Sequence, residues 1–188
     1  MLTVVSLFTA VSLSSCGYNT MVSKDENVKG KWAQVENAYQ RRADLIPNLV
    51  STVKGAANHE ESTLTAVVEA RAKATQVTVD PSNLSEEEIA NFQQTQDAFS
   101  QSIGRLLVSV EAYPDLKANQ NFRELQAQLE GTENRISVER RAYNEAVQDY
   151  NTTVRSFPNN MMAGMFGFKA KGTFTAAEGS DKAPTVSF

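Results

Sequence analysis

Apolar side chains recur at alternating gaps of three and four along three long stretches of this 188-residue chain, and only packed helices can shelter such stripes from water. The first stripe runs Val28, Trp32, Val35, Tyr39, Arg42, Ile46, Leu49 and Val53, and continues in phase through Ala56, Glu60, Leu64, Val67 and Arg71. The second is Ile89, Phe92, Gln96, Phe99, Ile103, Leu106, Val110 and Tyr113. The third is Phe122, Leu125, Leu129, Thr132 and Ile136, then Tyr143, Val147, Tyr150 and Val154. A strand repeats every two residues, so the bulk of the chain is not sheet. The expected fold is all-α: an elongated up-and-down bundle of three to four long helices.

Punctuation between the stripes agrees. Ser85-Glu86-Glu87-Glu88 reads as a capping box, with Asp80-Pro81-Ser82-Asn83 as the loop before it. Tyr113-Pro114-Asp115 closes the second stripe, and Phe157-Pro158-Asn159-Asn160 closes the third. A straight helix over residues 24–77 would be about 80 Å long, against about 43 Å and 58 Å for the other two. The first helix is therefore expected to kink near Pro47, which removes a backbone donor, or to break near Gly55. A full break gives four helices instead of three.

The ends differ from the middle. Leu2 to Leu13 is nearly uncharged and apolar, too short to span a bilayer but suited to the core of a secretory signal. It runs into Leu13-Ser14-Ser15-Cys16-Gly17, which resembles the lipobox of bacterial lipoproteins. That resemblance implies cleavage before Cys16 and acylation of its thiol. Two or three acyl chains hold a protein on a membrane, where one is marginal. The expected organisation is a signal peptide over 1–15, a lipidated linker over 16–23, the bundle over 24–156 and a Met/Phe-containing tail over 157–188. Met161, Met162, Met165, Phe166, Phe168 and Phe174 lie in that tail among glycines with no clean period. The tail is expected either to cover an open end of the bundle or to contact a partner or membrane. From Ala177 onward it reads as disordered or extended.

Two sets of motifs extend beyond periodicity. One is Trp32-Ala33-Gln34-Val35 with Tyr39-Gln40-Arg41-Arg42-Ala43-Asp44-Leu45-Ile46-Pro47-Asn48-Leu49-Val50, followed by Val53-Lys54-Gly55-Ala56-Ala57-Asn58-His59-Glu60. The other is Glu133-Asn134-Arg135-Ile136 with Arg140-Arg141-Ala142-Tyr143-Asn144-Glu145-Ala146-Val147 and Tyr150-Asn151, then Phe157-Pro158, Gly167-Phe168 and the closing Ala183-Pro184-Thr185-Val186-Ser187-Phe188. In this order, over residues 18–188, they resemble the LemA family of bacterial membrane-associated proteins. The resemblance implies a helical bundle with a kinked long helix. Members of that family usually carry an N-terminal anchor helix, whereas this chain shows a lipobox. The resemblance transfers no catalytic residue.

Chemistry-bearing residues are few. His59 is the single histidine, and the zinc-hydrolase pattern that His59-Glu60 suggests needs a second histidine where Thr63 stands. One histidine and one cysteine leave no metal site, disulfide or conventional triad to expect, and no glycine-rich phosphate loop exists. A net charge of -4 speaks against nucleic acid as a partner. No cofactor and no enzymatic activity is expected.

The charged residues on the stripes are more informative. Arg42 falls on the first seam, and Glu139 with Arg140 fills the gap in the third. A charge in a seam is costly unless paired. Arg42 or Arg71 is expected to pair with Glu139 or another carboxylate on a facing helix. The set Arg41, Arg42, Asp44, Arg71, Glu133, Arg135, Glu139 and Arg140 then forms either a polar layer that fixes helix register or a site for a partner, since the arginine fork suits carboxylates and phosphates. Asn134, Asn144 and Asn151 lie off the seam, where they are poor helix residues, and serve either interhelical hydrogen bonds or solvated surface.

The functional expectation is a membrane-anchored, non-enzymatic bundle on the extracytoplasmic side of a bacterial membrane. It would act as a protein-interaction or scaffold module for an envelope protein, as a single copy or a homo-oligomer. The alternative is an envelope-stress sensor or a regulator of a membrane protease or signalling partner, and a hydrolase with an unrecognised site is a distant third.

Overall fold

The computed structural model describes residues 2–56 and 61–175, with side chains from residue 17 to 55 and from 61 onward. Among the described residues six helices follow one another: α1 (Leu2–Ala56), α2 (Glu61–Gln76), α3 (Glu86–Val110), α4 (Pro114–Ala118), α5 (Gln120–Arg155) and α6 (Asn159–Phe166). Among the described residues there are no strands.

The stripes become the core. All eight positions of the first seam from Val28 to Val53 are buried. So are Leu64 and Val67, and every position of the second seam from Ile89 to Val110. On α5, Phe122, Leu129, Ile136, Tyr143, Val147, Tyr150 and Val154 are buried, and Glu139 and Ala146 fill the gap between Ile136 and Tyr143 or flank it.

The division of the first stripe falls after Ala56, not at Pro47, which lies inside α1. Helix α2 then runs back along α1, because Arg71 Nε donates to the Ala43 carbonyl at 2.8 Å. The 80 Å rod implied by an unbroken helix is thus two antiparallel helices. The stripe keeps one phase through the break because both helices pack on the same core.

Helix α3 starts where the sequence places its cap: Glu88 N–H donates to Ser85 Oγ at 3.2 Å. It runs parallel to α1, so Trp32 and Tyr39 both meet the Phe92 ring, with centroids 5.1 Å apart in each pair. Helix α5 is antiparallel to α1, bridged by Lys24–Asp149 at one level and Arg42–Glu133 at another. The result is an up-down-up-down bundle. Its interior divides into a Trp32 cluster, with Phe92, Tyr143 and Phe174, and a far cluster around Leu49, Val67, Phe99, Leu106 and Phe122.

The segment expected as a separate tail belongs to the Trp32 half. Helix α6 ends on Gly167, whose φ of 76° a side chain would disfavour. The chain then runs extended to Thr175, and Phe174 is buried in the Trp32 cluster. Gly172 passes so close to the start of α3 that an added Cβ would sit 2.5 Å from Glu86 Cα. The stretch from Ala177 onward lies outside the described residues. At the other end, the segment expected as a linker over 16–23 is helical, and Met21 is fully buried.

Candidate functional site

Arg42 sits at the centre of a polar layer where three helices converge. The side chain is 1% exposed. Its Nη1–H groups donate to Glu133 Oε1 on α5 at 2.7 Å and to Ser100 Oγ on α3. Nη2 donates to the Gln96 side-chain oxygen at 2.8 Å and to the Gln96 carbonyl at 3.2 Å. Gln96 in turn donates to the Ala74 carbonyl on α2, so all four long helices join one network. The guanidinium plane lies against Tyr39 and Phe99, 5.0 Å and 4.9 Å from the ring centroids. Aromatic faces suit a desolvated guanidinium. Nε is buried without a hydrogen bond.

Of the other seven charged positions, Glu133 meets Arg42 and the remaining six do not gather around it. Arg71 is spent on the Ala43 carbonyl. Glu139 is buried and takes Arg135 Nε at 2.7 Å, one turn away on its own helix. Arg140 donates to the Thr175 carbonyl at 3.0 Å, covers the Phe174 ring at 4.7 Å and lies 4.0 Å from Asp97. Arg41 and Asp44 project from α1 toward the outside, where Asp44 accepts from Gln40 at 2.8 Å. With Ala38 and Leu45 they form one wall of a groove of about 560 Å³ whose other wall is Gln128, Gly131, Thr132 and Arg135 of α5. That volume lies within the range of binding sites. A cleft on the opposite side of α1, lined by Glu36, Tyr39 and Gln96 among others, holds about 130 Å³, enough for waters and little else. Burial raises the Glu36 carboxyl and the Tyr39 hydroxyl there above their ordinary pKa values, although Arg140 and Arg42 oppose the shift at Tyr39.

The most highly organised polar contacts hold the extended segment 168–175. An extended strand without a sheet must satisfy its amides elsewhere. Asn151 brackets Lys171, donating to its carbonyl and accepting its N–H, both at 2.9 Å. Asn144, two turns earlier, does the same for Phe174, again at 2.9 Å twice. Gln93 of α3 brackets Thr175 at 3.1 Å and 3.0 Å. Tyr143 and Tyr150 donate to the carbonyls of Gly172 and Lys169, each at 3.0 Å. Burial pushes both phenols up, Tyr150 to about 12, so they remain protonated donors at neutral pH. Lys171 Nζ reaches Asp25 at 3.0 Å with its side chain 7% exposed. Burial pushes the Asp25 carboxyl up, but Lys29 and Lys171 outweigh it and hold the group below the usual value of 3.8. Asn144 and Asn151 are therefore neither interhelical bridges nor solvated surface. Their spacing of seven on one helix face was visible in the sequence, but a backbone partner leaves no side-chain signature.

His59 lies outside the described residues, and of Cys16 only the backbone, within α1, is described. Among the described residues no helix is long and apolar enough to cross a membrane, and no cluster of acidic, His or Cys side chains could hold a metal ion.

The model of the LemA family matches residues 31–188. The chain is 25% identical to the magnetosome protein MamQ 2 of Paramagnetospirillum magneticum, over 89% of this chain and 68% of that protein. It is 23% identical to the magnetosome protein MamQ of Magnetospirillum gryphiswaldense over the same shares. The protein LemA of Metamycoplasma hominis is 23% identical over 86% of this chain and 71% of its own length.

Two measurements test this geometry. Gln96→Leu strips Arg42 of a buried acceptor and is expected to cost about 2 kcal/mol, whereas in an Arg42→Met background the same change should cost much less. Denaturant unfolding of the two single variants and the double variant reads this coupling, and additive effects would show that the layer is not a unit. The second concerns Asp25. A depressed carboxyl contributes stability above its unfolded value of 3.8 and loses it as pH falls through the folded value. Asp25→Asn should therefore be less stable than the parent at neutral pH, with the difference shrinking below about pH 4. Unfolding midpoints measured down that range check it, and a constant difference would contradict it.

Proposed function

Since the chain belongs to the LemA family, we propose that it is a non-enzymatic helical bundle tethered to the extracytoplasmic face of a bacterial membrane through Cys16, where it docks an envelope protein in the groove between α1 and α5. The observation that carries the docking part is the contrast among neighbouring arginines. Arg42 is enclosed and engaged with the bundle through both Nη groups, while Arg41 and Arg135, on opposite walls of the groove, turn outward. The exposed guanidinium of Arg135 retains donors beyond the one given to Glu139. Two planar donor forks across an open trough that also carries Asp44 and Leu45 suit a protein segment of mixed polarity with carboxylates at its centre.

The tether rests on the Leu13-Ser14-Ser15-Cys16 pattern and on the apolar run before it. Membrane association is also the habit of the family that the chain belongs to. In this reading the Arg42 layer fixes the register of the four long helices, and the outer groove is what the fixed register presents.

A photo-crosslinking residue placed at Gln128 in the groove, and for comparison at Asn91 on α3, tests the reading in cells. A discrete adduct is expected from Gln128 and not from Asn91. The adduct should vanish in the Arg41→Glu, Arg135→Glu double variant, with the unfolding midpoint unchanged. Adducts of equal yield at the two positions, or adducts indifferent to charge reversal, would overturn it. Yield that rises only under envelope stress would assign the groove to a sensor instead of a constitutive scaffold.

A further inference from the structure

Helix α6 packs across the anchor-side end of the bundle. Tyr18, two residues after Cys16, meets the rings of Phe166 and Phe168 at 4.9 Å and 5.8 Å. At Gly17 an added Cβ would lie 2.6 Å from Asn159 Oδ1, the first residue of α6. The helix buries Ala163 toward the core, and Met162 packs against it. The remaining large side chains point away. Met161 and Met165 are 67% and 79% exposed, Phe166 is 54% exposed and Phe157 is 80% exposed. Met161 and Met165 lie four residues apart on one face of α6, forming a short stripe, and exposed Phe157 stands in the turn that leads into the helix. Soluble surfaces scatter such residues singly, and a cluster marks something that covers it.

We infer that this α6 stripe rests on the lipid bilayer, in the headgroup region, and sets the angle at which the bundle stands on the membrane. Position argues for lipid over protein. The stripe shares its end of the molecule with the residue that begins the apolar stretch leading back through Leu13 to Leu2, all within one continuous helix. Whatever holds that stretch or an acyl group at Cys16 in a membrane brings α6 within a few residues of the same surface. Charge argues the same way. Over residues 150–171 the charged side chains are Arg155, Lys169 and Lys171, with no acidic residue, in a chain whose net charge is -4. Lys171 is bound to Asp25, while Arg155 and Lys169 are exposed beside the stripe. A short apolar stripe flanked by exposed cations suits an anionic lipid surface. Acyl chains alone fix distance from the membrane but not orientation, and a second contact to one side of the tether supplies it.

The inference rests on the membrane-tether reading, and one experiment separates the two. The full lipidated chain carrying Met165→Cys, or Val108→Cys as a reference, is labelled with an environment-sensitive fluorophore and reconstituted into phosphatidylethanolamine and phosphatidylglycerol vesicles containing a spin-labelled quencher lipid. Val108 is 67% exposed and lies near the end of α3, at the opposite end of the bundle. The expected result is blue-shifted, strongly quenched emission from position 165 and unquenched emission from position 108. Protein that floats with the vesicles while both positions remain unquenched would overturn the inference and leave the tether standing. Protein that does not float would overturn both. As a further check, Met161→Glu with Met165→Glu in the non-acylatable Cys16→Ser chain should keep the unfolding midpoint and lose residual binding to anionic vesicles. Unchanged binding would count against the stripe.

Discussion

Two long helices cannot enclose a core. At the Trp32 end of this bundle only α1 and α5 run the full distance, because α2 has ended at Gln76 and α3 begins at Glu86. Something must close the remaining side over Trp32 and Tyr143, and the extended segment 168–175 does so with the Phe174 ring. That ring lies 6.0 Å from Trp32 in a stacked arrangement and 5.5 Å from Tyr143 edge-on. Full burial of such a side chain is worth about 1.5–3 kcal/mol, and each aromatic pair adds about 0.5–1.5 kcal/mol. Without the bracketing amides this gain would be offset by the cost of burying an unpaired backbone. Asn144, Asn151 and Gln93 remove that cost by presenting to the strap the donor and acceptor pair that a neighbouring strand would present.

The dependence runs outward from there. Closing the strap places Lys171 over the Tyr150 ring and against Asp25, which ties α1 to the segment beyond α6. Strap and α6 are consecutive, so holding one holds the other against Gly17 and Tyr18. The Trp32 half is therefore a single unit in which the exposed methionines of α6 are positioned by contacts that the following strap makes. The far half is built differently. There four helices surround a mostly aliphatic core with Phe99 and Phe122 in it, and the buried polar groups are concentrated in the Arg42 layer between the two clusters.

The seams were legible because phase along a helix is a local property. Val28 to Val53 and Ile89 to Val110 are buried throughout, and Ser85 caps α3. Arg42 was conspicuous because a charge interrupts an apolar stripe. Which carboxylate it meets was not legible, since phase does not say which helices face each other: Arg42 reaches Glu133, and Glu139 turns back to Arg135. The break between α1 and α2 was marked by Gly55, but the unbroken stripe did not say that the helix divides there and passes Pro47 intact. Phe174 and Gly172 were hidden because an extended strap held by side-chain amides has no period to read, and a glycine required by the proximity of Glu86 looks in the sequence like one that merely loosens a tail. The division of the eight charged residues between the core, the strap and the outer groove is likewise a three-dimensional fact.

Trp32 is the only tryptophan and reports directly on the closure. Its fluorescence and its quenching by acrylamide, compared between the full chain and a chain ending at Gly167, measure whether the strap seals the core. The account predicts blue emission and poor quenching in the full chain, and a red shift with ready quenching once the strap is gone, while the helical circular dichroism is largely kept. An indole equally shielded in both chains would contradict it.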